Sequence, residues 1–170
     1  MAWPPPVYRI SVEFEAPLPF VFRWCTDYRT DDARRAGETY ERRILSRTPR
    51  EVVYEDLWWL ADGWRWRRYR VILRPPDRWH ADSVGNIRDA SLDYRLTALP
   101  GDRTQLELVA RRRPATGRPG QPPRRAFERE LRQLWAHFAR ELHRDFRRSR
   151  VRSRKRGRSI LAGKPARPSS

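Results

Sequence analysis

The sequence predicts an α+β fold in which a curved, seven-stranded antiparallel sheet wraps around one long C-terminal helix. Three patterns along the 170 residues carry this prediction. Apolar and polar residues alternate near the start, several strand-like runs separated by turn signals follow, and apolar residues then recur every three or four positions. The first two patterns are typical of half-buried strands, and the third is typical of an amphipathic helix.

The first strand is followed by two short helices. Alternation through Val7–Glu15 predicts a strand with one buried face. Pro17 ends this strand, because proline lacks the N–H group of a ladder hydrogen bond. Near-helical spacing predicts a short helix over Pro19–Asp27, and we expect a second over Thr30–Arg35.

Six further strands are predicted in the middle of the chain. Their short connections favour consecutive antiparallel pairing. Asp62-Gly63 is a strong signal for a two-residue hairpin turn between the second and third of them. The predicted boundaries are Thr39–Arg47, Glu51–Leu60, Trp64–Leu73, Arg78–Gly85, Ala90–Leu99 and Thr104–Arg113.

A proline-rich linker, Pro114–Pro123, precedes the predicted long helix, Arg124–Arg148. A sheet with one apolar face must cover that face, and this helix is the only sizeable cover that the sequence offers. We therefore expect the sheet to curl around the helix and to leave a space between them. The apolar stripe of the helix consists of Phe127, Leu131, Leu134, Phe138, Leu142 and Phe146.

The charge is strongly basic and uneven. Lysine and arginine together number 38 against 21 acidic residues, for a net charge of +17. Residues 149–170 are predicted to be a disordered basic tail behind a single domain, residues 1–148. Contact with an anionic membrane or with nucleic acid through residues 147–170 is one interpretation, and a solvated tail is the alternative.

Composition argues against several other classes of protein. One cysteine, Cys25, excludes an intramolecular disulfide framework and a cysteine cluster for a metal, and Cys25 is expected to serve packing. Neither a cofactor nor a metal is predicted. The absence of an export signal and of an apolar span of about 20 residues favours a cytoplasmic protein.

The segment YRISVEFEAPLPFVF, Tyr8–Phe22, resembles the opening of the START-like (SRPBCC) superfamily. The resemblance extends through the order of elements from Val7 to about Arg148, and it implies the helix-grip fold. Within that superfamily, Trp64-x-Trp66-x-x-x-Arg70 resembles a stretch of bacterial aromatic polyketide aromatase/cyclases. This likeness implies that Arg70 is the catalytic arginine that guides a poly-β-ketone substrate.

The predicted hairpin divides its side chains between two faces. If Asp62-Gly63 forms the turn, Glu55 lies opposite Arg70, and Trp59 lies opposite Trp66. We expect this face to point toward the helix, where Arg70 needs a carboxylate or a ligand oxygen as its partner. An ordinary solvent-exposed pair of Glu55 and Arg70 is the alternative. The predicted ligand-binding residues are Glu55, Leu57, Trp59, Trp66, Arg68, Tyr94, Leu134 and Phe138.

The leading functional hypothesis is a domain that binds a hydrophobic or aromatic small molecule between the sheet and the C-terminal helix. If such a domain is also catalytic, we expect it to be a polyketide cyclase/dehydrase-like protein, although no acid–base pair stands out in the sequence. The alternatives are a lipid or quinone carrier that reaches anionic membranes through the basic tail, and a non-specific nucleic-acid-associated basic protein. A fold alone does not decide among these functions.

Overall fold

The alternating segments form seven strands of one antiparallel sheet, and the predicted fold class is confirmed. The computed structural model describes residues 7–86, 88–114 and 124–162. The strand order across the sheet is β1-β7-β6-β5-β4-β3-β2. The elements are β1 (Val7–Phe14), α1 (Leu18–Thr26), α2 (Asp32–Ala36), β2 (Tyr40–Arg47), β3 (Glu51–Leu60), β4 (Gly63–Arg74), β5 (Arg78–Gly85), β6 (Arg88–Leu99), β7 (Arg103–Pro114) and α3 (Arg124–Ala162).

The β3–β4 hairpin turns one residue earlier than predicted, which shifts the pairing of its strands by two residues. Leu60 pairs with Gly63, so Ala61 and Asp62 form the turn. Gly63 has φ = 121°, a backbone conformation that favours glycine. A shift of two residues keeps every side chain on its predicted face, because the side-chain period of a strand is two.

The long helix extends beyond its predicted end. Although the apolar stripe stops before Arg148, α3 continues to Ala162. Arginine and lysine are good helix formers, so a basic segment can prolong a helix that an apolar face has started. The predicted end at Arg148 is therefore too early, since residues 149–162 are helical where a disordered tail was predicted. Residues 163–170 and most of the predicted linker lie outside the described residues.

Contacts along its length attach α3 to the rest of the fold. Near its start, the Glu128 carboxylate accepts a hydrogen bond from the backbone N–H of Arg9 in β1, at 3.1 Å. Farther along, the indole N–H of Trp24 in α1 donates to Asp145 at 3.1 Å, and Leu142 is fully buried. Between these attachments Trp135 is buried in the core against Phe14 of β1, and the rest of the apolar face of α3 lies across the interior from the inner face of the sheet.

Within the ranges described, none of the helices combines the length and the apolar character that crossing a bilayer requires.

Candidate functional site

A cavity of about 430 Å³ lies between the inner face of the sheet and the three helices. This volume falls within the range of small-molecule sites, which span roughly 300–1,000 Å³. Four tryptophans and five tyrosines are the main part of its lining. The aromatic lining residues are Trp24, Tyr28, Tyr40, Tyr54, Trp58, Tyr69, Trp79, Tyr94, Phe127, Trp135 and Phe138.

A buried ion pair closes one side of the cavity. Arg42 of β2 donates two hydrogen bonds to the carboxylate of Asp56 in β3, at 2.7 and 2.8 Å, and a third to Asp32 of α2. The side chains of Arg42 and Asp56 are 8% and 3% exposed. Burial would lower the pKa of Arg42, but the hydrogen bonds and charge of Asp56 outweigh burial and raise it. Arg42 therefore stays charged, and its partners hold it in place.

The same arginine organises a stack of aromatic rings. Its guanidinium lies 4.2 Å from the centroid of the Tyr54 ring, and Tyr54 stacks on Tyr69 with centroids 4.7 Å apart. Tyr28 also packs against Tyr54, and the centroids of these two rings are 5.2 Å apart. A cation beside an aromatic face is attracted by the ring quadrupole, so this stack gives one cavity wall a defined shape.

The buried tyrosines provide hydrogen-bond donors to the cavity. Tyr94 stacks on Trp79, with ring centroids 4.6 Å apart and planes within 8°. Burial is the main cause that raises the pKa of Tyr94, and likewise that of Tyr54, well above the ordinary value of a phenol. Their hydroxyl groups therefore stay protonated at neutral pH and can donate a hydrogen bond to a carbonyl oxygen.

Arg67 of β4 points to the interior near the far side of the tyrosine stack. It donates a hydrogen bond to the Tyr69 hydroxyl at 3.0 Å, and it lies within 6.0 Å of the Trp58 ring. Together with Arg42 it lines the cavity from the hairpin side. Arg67 is the cavity arginine of β4, three residues before the arginine that the sequence indicated.

The predicted inward orientation of Arg70 and its neighbours is wrong. Arg70 has a side chain that is 65% exposed, and it pairs with Glu51 at 2.7 Å rather than with Glu55. Glu55 pairs instead with Arg68, at 2.6 Å, on the same outer face. The alternative interpretation, an exposed cross-strand pair, describes the geometry, although Arg70 and Glu55 each have another partner.

The predicted site residues fall into two groups. Leu57, Trp59 and Trp66 share the outer face with Arg70, and Trp59 is 74% exposed near the hairpin tip. Of the described residues that line the cavity, none belongs to this outer group. Tyr94, Leu134 and Phe138 do line it, Tyr94 from β6 and the other two from α3. Their role in ligand binding stays a prediction.

The sequence contained a signal for the correct face. Tyr69, Val71 and Leu73 of β4 all share one face, whereas Arg68 and Arg70 occupy the other. The two tryptophans near the turn pointed the other way, because large apolar residues usually indicate burial. Trp59 lies where the hairpin extends past the packed interior and stays exposed, whereas Trp66 is half-buried on the outer face. The inward role of Arg42 depends on its pairing with Asp56, which no pattern within β2 reveals.

Two histidines and the single cysteine have local surroundings that the structure defines. The His137 ring N–H donates to the backbone carbonyl of Arg35 at 2.7 Å, whereas His80 lies on the outer face beside Asp93. Burial raises the pKa of the Cys25 thiol, which keeps it protonated where it lines the cavity. Across the described ranges, no group of three potential metal ligands comes together.

Comparison with solved structures shows which fold this is. An aromatase/cyclase from Streptomyces sp. R1128, ZhuI, superimposes with a TM-score of 0.63 at 17% identity, covering 84% of this chain and 94% of its own. A START superfamily protein from Mycobacterium smegmatis gives 0.59 at 14% identity, covering 81% and 94%. The di-domain aromatase/cyclase StfQ of the steffimycin biosynthetic pathway gives 0.62 at 16% identity, covering 83% of this chain and 46% of its own.

The chain has a START-like (SRPBCC) helix-grip fold. This confirms the predicted resemblance, including the likeness to polyketide cyclases. No family model matches the chain, and no curated protein matches it. At such low identity, the comparison establishes the fold and leaves the ligand and the reaction open.

Replacing Arg42 by leucine is expected to destabilise the protein by about 3–5 kcal/mol, because it leaves the buried carboxylate of Asp56 without its partner. Chemical denaturation measures the free energy of unfolding. Arg43→Leu, the next residue of β2 with an exposed side chain, is the matched control and should cost less than about 0.5 kcal/mol. Equal losses in the two variants would contradict the structural role given to the buried pair.

Proposed function

We propose that this protein binds a hydrophobic or aromatic small molecule in the cavity between the sheet and α3. The observation that carries the proposal is the lining itself, in which aromatic rings surround about 430 Å³ of interior space. Most ligand sites are apolar clefts with a few placed polar groups that orient the ligand. Here the tyrosine hydroxyls of Tyr54 and Tyr94 are such groups, together with Arg67.

The charged groups of the hairpin side favour a ligand that carries carbonyl oxygens. Arg42 has its hydrogen bonds committed to Asp56 and Asp32, so it shapes the wall. Arg67 has one described hydrogen bond, to the Tyr69 hydroxyl, and its remaining N–H groups are available to a ligand. A flat, oxygen-bearing aromatic molecule matches both the stacked rings and these donors.

A neutral aromatic fluorophore, N-phenyl-1-naphthylamine, tests cavity binding. We expect saturable fluorescence enhancement with the unmodified protein, and a loss of affinity of about tenfold or more when Leu92→Trp fills the cavity from β6. Leu134→Trp, which fills it from α3, should act in the same way if the first variant folds poorly.

The matched control is Val84→Trp, because Val84 is 52% exposed on the neighbouring strand β5. This variant adds the same ring outside the cavity and should bind the fluorophore as the unmodified protein does. If the unmodified protein does not bind, or if the filled variants bind equally well, the proposed cavity function is wrong.

A second proposal, favoured by the protonated hydroxyls in the cavity, is polyketide cyclase/dehydrase-like activity. Confinement of a flexible polycarbonyl chain brings the reacting carbons together, and a hydrogen bond from Tyr94 polarises the carbonyl that is attacked. The carboxylates of Asp32 and Asp56 are both bound to Arg42, so this proposal depends on confinement and polarisation rather than on a carboxylate base.

A synthetic aryl triketone that closes to a phenol by aldol condensation and loss of water is the appropriate probe. We expect Tyr94→Phe to lower the accelerated rate about a hundredfold, because it removes one donor to the developing oxyanion. Binding of N-phenyl-1-naphthylamine should be retained, since the ring stays in place. No acceleration by the unmodified protein, or full activity of Tyr94→Phe, would reject this catalytic role and leave the binding proposal standing.

A further inference from the structure

Three arginines form a row across the inner face at one end of the sheet. They are Arg67 of β4, Arg88 of β6 and Arg112 of β7. Each stands two residues from a side chain of the inner face, so each projects to the same side of the sheet. Arg88 and Arg112 are diagonal neighbours, since Ala90 pairs with Arg112 and Arg88 pairs with Pro114.

The strand between Arg67 and Arg88 contributes no side chain to this row. Gly85 of β5 pairs with Arg67, and a Cβ atom built on it would lie 2.5 Å from the backbone oxygen of Trp66. Such a contact requires a shift of the backbone, so the position favours glycine. The row therefore consists of three cationic side chains, and Gly85 at the end of β5 adds no side chain between them.

Positive charge exceeds negative charge around this row. Neither Arg67 nor Arg88 forms an ion pair with any described residue. Asp56, which lies toward the neighbouring hairpin wall, is already bound to Arg42 by two hydrogen bonds. Glu130 of α3 is close enough to affect the pKa of Arg88, but its own side chain is exposed.

Burial and mutual repulsion make the charged forms of these arginines unfavourable in the protein without a ligand. Burial, followed by the charges of Arg88 and Arg67, lowers the pKa of Arg112 to about 9. Burial and the charges of Arg67 and Arg65 also lower the pKa of Arg88. Arg112 remains protonated at pH 7 even so, and the Nε atom of Arg88 is buried without a hydrogen-bond acceptor. An unsatisfied buried donor is costly, and an anion would supply the missing acceptor.

Arg67 and Arg112 line the cavity, whereas Arg88 lines a smaller pocket to which Arg67 also belongs, and the surroundings of Arg112 are apolar. The Arg112 guanidinium lies 3.8 Å from the centroid of the Phe127 ring. Leu92 and Leu131 continue the lining from there toward the aromatic part of the cavity. A molecule that reaches the arginines from the interior must therefore carry an apolar body.

We propose that the row Arg67–Arg88–Arg112 binds the anionic group of an amphipathic ligand whose aromatic or apolar body occupies the cavity. This inference rests on the proposed function and adds the substrate class: a carboxylate, sulfonate or phosphate joined to a ring system or chain. Planar guanidinium groups bind such oxyanions through paired N–H donors, which makes arginine the suitable residue for this recognition.

Two dyes that differ by a single anionic group test the inference. 8-Anilinonaphthalene-1-sulfonate carries a sulfonate, whereas N-phenyl-1-naphthylamine has the same ring system without it. The unmodified protein should bind the sulfonate about tenfold or more tightly than the neutral dye, because charged hydrogen bonds add to the same apolar contact. Arg88→Met and Arg112→Met should each remove most of this preference and leave affinity for the neutral dye within about twofold.

Arg68→Met is the matched control, since Arg68 is the next residue of β4 and its side chain is 55% exposed on the outer face. It removes the same charge from the chain and should leave the preference intact, which separates the inner row from the general attraction of a basic protein. Leu92→Trp should weaken binding of both dyes.

The outcomes distinguish the two proposals. If neither dye binds, the proposed function fails, and the anion inference fails with it. If both dyes bind equally well, the cavity stands and the anion inference is overturned. A sulfonate preference that is lost in Arg68→Met but kept in Arg88→Met and Arg112→Met overturns it as well. The comparison of the two dyes on the unmodified protein requires no variant, so the inference stays testable even if an arginine variant folds poorly.

Discussion

The attachment of α3 to β1, α1 and α2 is the constraint on which the rest of the structure depends. Its start is held to β1 through Glu128, and its later turns are held to α1 through Asp145 and the buried Leu142. A helix fixed in this way covers the inner face of the sheet but does not fill the space above β3–β6. The aromatic side chains of those strands then become cavity walls, whereas a closer helix would make them core.

The polar groups of the interior are divided between two ends of the cavity. Toward β2, Arg42 is neutralised by Asp56 and Asp32, and the result is a rigid wall. Toward the other end, Arg112 adds its positive charge to those of Arg67 and Arg88, neither of which forms an ion pair with a described residue. A neutralised buried cation stabilises one arrangement of the fold, whereas an excess of buried positive charge is costly unless a ligand compensates it. The two ends of the cavity therefore differ: its main part is apolar and aromatic, and one end is cationic.

The sequence predicted the order and type of the elements well, because each depends on local periodicity. The bounds of β3 and β5 are as predicted, and those of the other strands differ by one or two residues. The site was harder to predict, since it depends on which face of the sheet meets the helix. Both faces of the hairpin mix aromatic and charged residues. Alternation alone therefore shows which side chains share a face, but it does not show which face is buried. The row of Arg67, Arg88 and Arg112 comes from three strands, and only the register of the whole sheet brings it together.

The most direct measurement of the central claim is a set of intermolecular nuclear Overhauser effects between bound N-phenyl-1-naphthylamine and methyl-labelled protein. The account predicts contacts from the aromatic protons of the ligand to the methyl groups of Leu92 and Leu134, on opposite walls of the cavity. It predicts none to Leu45 or Val84, which are exposed on β2 and β5. Contacts confined to Leu45 and Val84 would place the ligand on the outside of the protein and contradict the account.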